Sequence, residues 1–190
     1  MATTTVLAWL LIACYFVVER FLRKGTKALS LKAEECDRGS SRVMLVAGSL
    51  NILLVIFAPI LNANKIGYWN IGYGRWVGVV LMLLGLGLRY WAAVTLGKFY
   101  TRTLSVTEGQ TVIVRAPYGI IRHPGYAGIS LMEIGAGLAV SNWSVLIVGV
   151  VLGMRSRIYW IQVEEQMLEA SLQQYQTYRD KTWRLIPFVY

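Results

Sequence analysis

Long uncharged apolar runs alternate with short charged segments along this chain. Residues 1–18 carry no charge, and the apolar stretch Val6–Leu22 ends among Arg20, Arg23, Lys24 and Lys27. Val43–Asn64 is an uncharged run of 22 residues, long enough to cross about 30 Å of hydrocarbon. Arg75–Gly97 is a third run, interrupted only by Arg89. A more polar segment, Lys98–His123, follows with Lys98, Arg102, Glu108, Arg115 and Arg122. Apolar character resumes at Pro124 and lasts to about Val163, too long for one span, and Ser141-Asn142-Trp143-Ser144 supplies a turn that divides it. The tail, Glu164–Tyr190, is amphipathic and mostly polar. The pattern predicts an all-α polytopic membrane protein of one domain, 1–190, with transmembrane helices at about 4–22, 43–64, 75–97, 124–140 and 143–163. The last two of these five form a helical hairpin. The N-terminus lacks a basic segment and a small-residue cleavage site, so it reads as a first span and not as a signal peptide.

Composition removes the soluble alternative. Apolar residues make up 56% of the chain and 18 glycines bring that to about 65%, against about 45–50% in a globular protein. Charged residues are 15% where about 25% is usual, and the mean hydropathy is +0.50. Disorder requires the opposite balance. The net charge of +9 could be a nucleic-acid footprint, but its placement argues otherwise. With the N-terminus outside, the inner segments 20–42, 98–122 and the C-terminus hold sixteen basic residues, and the outer segments hold two, Lys65 and Arg75. That bias predicts N-out and C-in, a multi-pass cell-membrane protein and no nucleic-acid partner. A four-span alternative, with Ile134–Met154 as one helix, would strand the basic tail opposite the basic 98–122 loop. Cys14 lies in an apolar run and Cys36 in a charged loop, so a mutual disulfide is not expected; no Cys/His cluster suggests a metal. Gly74-x-x-x-Gly78 and Gly149-x-x-x-Gly153 have the spacing of close helix contacts, or of glycines that spans merely tolerate.

The chain has no third glycine after Gly85-Leu-Gly87 or Gly135-Ala-Gly137, no Walker loop, no GxSxG and no HExxH. Its sharpest local feature is Arg122-His123-Pro124-Gly125-Tyr126, which contains the only histidine. Pro124 suits a first helical turn, so free N–H groups and a positive dipole end would lie beside an imidazole and a phenol. That arrangement can receive an anion or a heterocycle; it is also what an interfacial Arg, His and Tyr belt looks like. Arg157 and Glu164 are seven apart with Trp160 between them, which puts all three on one helical face, while Glu165 points about 100° away. Such a stripe can bind a zwitterion or can simply be a snorkelling arginine and a solvated helix end. Arg89 and Glu133 both fall roughly 12–13 Å in from the inner side, and opposite charges at equal depth are expected to pair.

Taken in order, Arg122-His123-Pro124-x-Tyr126-x-Gly128, Glu164-Glu165, Tyr175-x-x-Tyr178 and Arg184-x-Ile186-Pro187-Phe188 resemble the isoprenylcysteine carboxyl methyltransferase family, in particular a prokaryotic, archaeal type of member. The likeness covers Gly87–Tyr190, and more distantly the chain is similar to phospholipid N-methyltransferases and membrane sterol reductases. The resemblance implies S-adenosylmethionine as cofactor, held on the cytoplasmic side by the last two spans and the tail. By position it implies cofactor contacts at Gln110, Thr111, Val112, Ile113, Tyr118, His123, Pro124, Gly125, Tyr126, Glu164 and Glu165. Gln110 stands where the family begins this stretch with histidine. Arg89 matches an arginine that the family needs, and with Glu133 and Arg157 it forms the candidate catalytic set. The family also places an arginine one turn before the acidic residue; this chain has Trp160 there, and Arg157 is the nearest base. The implied reaction is methyl transfer to the carboxylate of a lipophilic, isoprenylcysteine-like substrate entering a monomeric enzyme from the surrounding lipid. A carboxylate is ionised at pH 7, so no nucleophile–base pair is needed. Lipid N-methylation, NADPH-dependent reduction of a lipid, or a non-catalytic transporter or scaffold are the alternatives.

Overall fold

The computed structural model describes residues 2–22, 39–100 and 109–188. The expected features at Arg23, Lys24, Lys27, Lys32, Cys36, Arg38, Arg102 and Glu108 lie outside them. Among the described residues the secondary structure is helical, with two isolated bridges and no strand. The helices are α1 (Thr3–Leu22), α2 (Ser40–Ala63), α3 (Gly74–Leu96), α4 (Pro124–Ala139), α5 (Trp143–Ser171) and the short α6 (Tyr175–Arg179).

Four of these helices, α1, α2, α3 and α5, are long and apolar enough to cross a membrane. α4 has 16 residues, about 24 Å, and falls short of that length. It nevertheless packs along α3 and α5 within the same bundle. The helix ends lie within three residues of the expected span bounds, except that α5 does not stop at 163. It continues as one helix to Ser171, about 43 Å, because nothing between Val163 and Ser171 breaks it. Glu164 and Glu165 are therefore on the hairpin's second helix and not in a separate tail. Local chemistry marks the ends. Gly97 stops α3 with a φ of 56°, in the left-handed region that glycine tolerates. Asn142 caps α5 by accepting from the Val145 N–H at 3.0 Å.

The turn between α4 and α5 confirms the hairpin and is locked at that end of the bundle. Asn142, fully buried, donates to Asn62 Oδ1 and to the Ile66 carbonyl, both at 2.8 Å. Arg75 donates through Nε to Ser141 Oγ at 2.6 Å. The core runs inward from this end through Ala8, Val55, Ala58, Met82, Ala136 and Val145.

The tightest seam is α3 on α4, and glycine makes it. A Cβ on Gly78 would lie 2.5 Å from Gly135 O and from Ala139 N, and one on Gly128 would lie 2.6 Å from Gly85 O. The expected pairs are thus corrected. Gly78 works opposite Gly135, while the atoms nearest a Cβ on Gly74 belong to Ile71, at 3.2 Å and beyond. Gly149 and Gly153 do not bring two backbones together: Gly153 makes room for the Glu133 carboxylate, and the Gly149 carbonyl accepts from Asn51 at 3.2 Å.

Candidate active site

A cavity of about 730 Å³ opens at the end of the bundle away from the α4–α5 turn. Its deep part is largely apolar, lined by Ile12, Val55, Met82, Met132 and Val145. α1 packs on α3, and α2 packs on α5. Near the turn α1 and α2 meet, the Trp9 indole donating to the Val55 carbonyl at 3.2 Å. Farther down, the cavity lies between Phe16 and Glu19 of α1 and Met44, Leu45 and Gly48 of α2.

Two buried ion pairs stand in its wall. Arg157, 2% exposed, binds Glu133 Oε2 through Nη2 at 2.5 Å, and Asn51 donates to Glu133 Oε1 at 3.0 Å. Arg89, 7% exposed, binds Glu19 Oε1 through Nε at 2.8 Å. The expected Arg89–Glu133 pair is therefore wrong. The two residues have similar depth, but the Gly78–Gly135 and Gly85–Gly128 contacts lock one rotation of α3 against α4. In that rotation Arg89 faces α1, and Glu133 faces α2 and α5. Depth was readable from spacing; azimuth was not.

Glu19 is the residue that sequence reasoning missed. It was masked by its neighbour: the pair Glu19-Arg20 reads as the polar end of a span, yet Arg20 is exposed and Glu19 is 6% exposed. Tyr100, likewise unpredicted, donates its hydroxyl to Glu19 Oε1 at 2.5 Å. A buried carboxylate needs such donors, so an acidic residue one turn inside a span end was the available signal.

The Arg122–Tyr126 segment forms the cavity's rim at the start of α4. Pro124 starts α4, and the His123 carbonyl accepts from Tyr126 and Ala127 N–H at 3.1 Å. The His123 and Tyr126 rings stack 5.5 Å apart. Tyr126 donates its hydroxyl to Glu164 Oε2 at 3.0 Å, and His123 Nδ1 lies 3.6 Å from the same oxygen. Gly125 is there because Arg89 is: a Cβ would lie 2.7 Å from Arg89 Nη1.

Of the expected cofactor contacts, Tyr118, His123, Gly125, Tyr126 and Glu164 line this cavity, with Arg89, Glu133, Arg157 and Trp160. Pro124 is buried beneath the rim and serves the helix start. Gln110, Thr111, Val112 and Ile113 form an irregular segment off the cavity wall. Glu165 is also placed elsewhere. It accepts from Arg122 Nε at 2.8 Å and Arg184 Nη2 at 2.7 Å, with His123 Nε2 at 3.2 Å. The expected turn of about 100° between Glu164 and Glu165 is what separates a cavity carboxylate from one that anchors the tail.

That tail is docked behind the rim. Trp183 N–H donates to Ile120 O at 3.0 Å, and Arg122 and His123 N–H donate to the carbonyls of Trp183 and Arg184 at 2.8 and 3.1 Å. Tyr178 donates to the Tyr118 carbonyl at 2.8 Å. Burial pushes the Tyr178 phenol up to about 12, and raises Tyr118 as well, so both stay neutral donors.

Residues 77–170, about half of the chain, match the isoprenylcysteine carboxyl methyltransferase (ICMT) family. The chain is 26% identical over 152 residues to a probable protein-S-isoprenylcysteine O-methyltransferase of Oryza sativa subsp. indica, covering 78% of each chain. It is 24% identical over 168 residues to protein-S-isoprenylcysteine O-methyltransferase B of Arabidopsis thaliana, covering 87% of this chain and 82% of that one. Its fold resembles a solved structure of the eukaryotic intramembrane Ras methyltransferase ICMT, with a TM-score of 0.65 and 19% identity. That match covers 94% of this chain and 64% of the other, so this chain spans just under two thirds of that protein's length.

Proposed function

The chain belongs to the isoprenylcysteine carboxyl methyltransferase family, and from that premise we propose that it moves a methyl group from S-adenosylmethionine to the carboxylate of a lipophilic, isoprenylcysteine-like acid. The single observation that carries this reading is the cavity. It joins a polar rim of His123, Tyr126 and Glu164 to an apolar interior reached between α1 and α2, with Arg89 and Arg157 where the two parts meet.

The residues present fit the cofactor. Glu164 has one oxygen on the Tyr126 hydroxyl and keeps accepting capacity toward the cavity, which suits ribose hydroxyls or an ammonium. The buried Trp160 indole N–H, on the same wall, has no partner among the described residues. His123, Gly125, Tyr126 and Glu164 would hold the cofactor, with Tyr118 beneath. When bound, it supplies an activated methyl on a sulfonium sulfur.

The chain's own work is binding and orientation. The substrate acid is ionised at pH 7, so no residue must take a proton. Neither Nη of Arg89 hydrogen-bonds a described residue, and both remain for a carboxylate that the guanidinium fork can grip bidentately. Its plane is set by the Tyr100 and Tyr126 rings, 5.1 and 5.9 Å from the guanidinium carbon. Arg157, tied to Glu133, supplies the second fixed positive group at the substrate side. The apolar lining lowers the local polarity, which favours a reaction that turns a cation and an anion into two neutral products. Holding the reacting atoms in line supplies the remainder. In this reading α4 is a fifth span, short because its polar start forms the rim. The sorted basic residues put the N-terminus outside and the cavity's mouth on the cytoplasmic side of the cell membrane.

The test is methyl transfer from labelled S-adenosylmethionine to a panel of prenylcysteine, fatty-acid and aminophospholipid acceptors, with binding followed by calorimetry. Transfer to the prenylcysteine carboxylate is expected, and His123→Ala and Glu164→Ala should bind the cofactor less tightly. Methylation of the amine lipid alone, or unaltered binding in both variants, would sink the assignment.

A further inference from the structure

Glu19 is the only acidic residue of α1, and it lies outside the segment that matches the family. A carboxylate in an apolar helix is costly unless held, and this one is held by two donors that both belong to the cavity wall, Arg89 Nε and the Tyr100 hydroxyl. By occupying Nε, Glu19 dictates which edge of the planar guanidinium faces the cavity.

Its charge matters as much as its geometry. In the function proposed above, on which this inference rests, a cationic methyl donor and an anionic acid must occupy one cavity together. The methyl carbon leaves sulfur with the bond pair remaining on sulfur, and it bonds to a carboxylate oxygen; no proton moves, and both products are neutral there. An uncompensated Arg89 would attract the acid but repel the donor. Arg157 is already balanced by Glu133, and Arg122, on the same wall, by Glu165. Arg20 and Arg42, also on the cavity wall, are exposed and screened by water.

We propose that Glu19 is a positioning residue that aims the Nη edge of Arg89 at the substrate carboxylate and cancels the guanidinium charge, so that a sulfonium binds beside it. The consequence is selective. Glu19→Gln keeps an oxygen for both donors but removes the charge, and should weaken S-adenosylmethionine binding on the order of tenfold. S-adenosylhomocysteine, which lacks the sulfonium charge, should bind within about twofold of wild type, because only the Coulomb interaction has changed. Glu19→Asp keeps the charge and should preserve the affinity ratio of the two ligands while lowering kcat, since the shorter side chain withdraws Arg89. In Glu19→Gln the KM for the acid should not rise.

The experiment is calorimetric titration of both ligands into the full chain in lipid nanodiscs, with KM and kcat measured alongside. Equal weakening of both ligands, an unchanged ratio in Glu19→Gln, or the same ratio loss in Glu19→Asp overturns the proposal. Should Glu19→Gln fail to fold, the Glu19→Gln, Arg89→Gln double variant takes its place. It carries neither buried charge and should retain the wild-type ratio; a lowered ratio overturns the proposal. Wild-type protein that binds neither ligand would instead overturn the methyltransferase reading.

Discussion

Removing the charge of Glu133 tests whether the Arg157 pair is the structural unit that the geometry indicates. Arg157 is 2% exposed, its Nη2 is 2.5 Å from Glu133 Oε2, and its Nε has no partner among the described residues. Unit charges about 4 Å apart attract by about 4 kcal/mol at an effective dielectric constant of 20. Taking both ions out of water costs several kcal/mol each, so the intact pair contributes little net stability. Breaking it is different: Glu133→Gln leaves a buried cation uncompensated, at about 3–5 kcal/mol. At about 2–4 °C per kcal/mol for a chain of this size, Tm should fall by roughly 6–20 °C. Replacing both residues, as Glu133→Gln with Arg157→Met, removes both charges and should recover about half or more of that loss. The assay is a double-mutant cycle on tryptophan-fluorescence melting curves in detergent, with the Arg89–Glu133 cycle run beside it. That second cycle should be additive within about 0.5 kcal/mol. A single-variant loss under about 1 kcal/mol, or a double variant equal to the sum of its singles, would refute the reasoning.

Gly125→Ala puts a Cβ 2.7 Å from Arg89 Nη1, so it should displace the guanidinium and cut methyl transfer by about tenfold or more, with melting little changed; a wild-type rate would count against the placement of Arg89. The two adjacent carboxylates should separate cleanly. Glu164→Gln should weaken S-adenosylmethionine binding in calorimetry and leave the tail docked, whereas Glu165→Gln should release it and speed limited proteolysis within 172–188; the reverse pattern would contradict their assignments. The Tyr178 phenol, raised by burial from 10.0 to about 12, favours the neutral form in the fold. Its contribution to stability is complete below pH 10 and lost as pH rises through 12, so alkaline unfolding should steepen across that window. Tyr178→Phe should start lower at neutral pH, having lost the bond to Tyr118 O, and lose stability less steeply between pH 10 and 12.

Much of this architecture is local, and local features were legible. Runs of apolar residues and the turn at Ser141–Asn142 place the helices because hydropathy and capping act within a few residues. The Arg122–Tyr126 segment was recognisable for the same reason, since Pro124 and the residues beside it define a helix start. The extension of α5 to Ser171 was hidden by its charges: the helix leaves the apolar zone without leaving helical geometry, and hydropathy reports only the zone.

Residue order alone determined the helical class, the starts of the helices, the depth of Arg89 and Glu133 and the separation of Glu164 from Glu165 by one helical step. Tertiary structure decided the partners. Depth along a helix follows from counting, but which neighbour a side chain faces depends on how each helix is rotated in the bundle. Here glycine contacts between α3 and α4 set that rotation. They turn Arg89 toward Glu19, at a sequence distance of 70 residues, and turn Glu133 toward Arg157 and Asn51. No periodicity encodes that choice, because it arises only when two backbones touch.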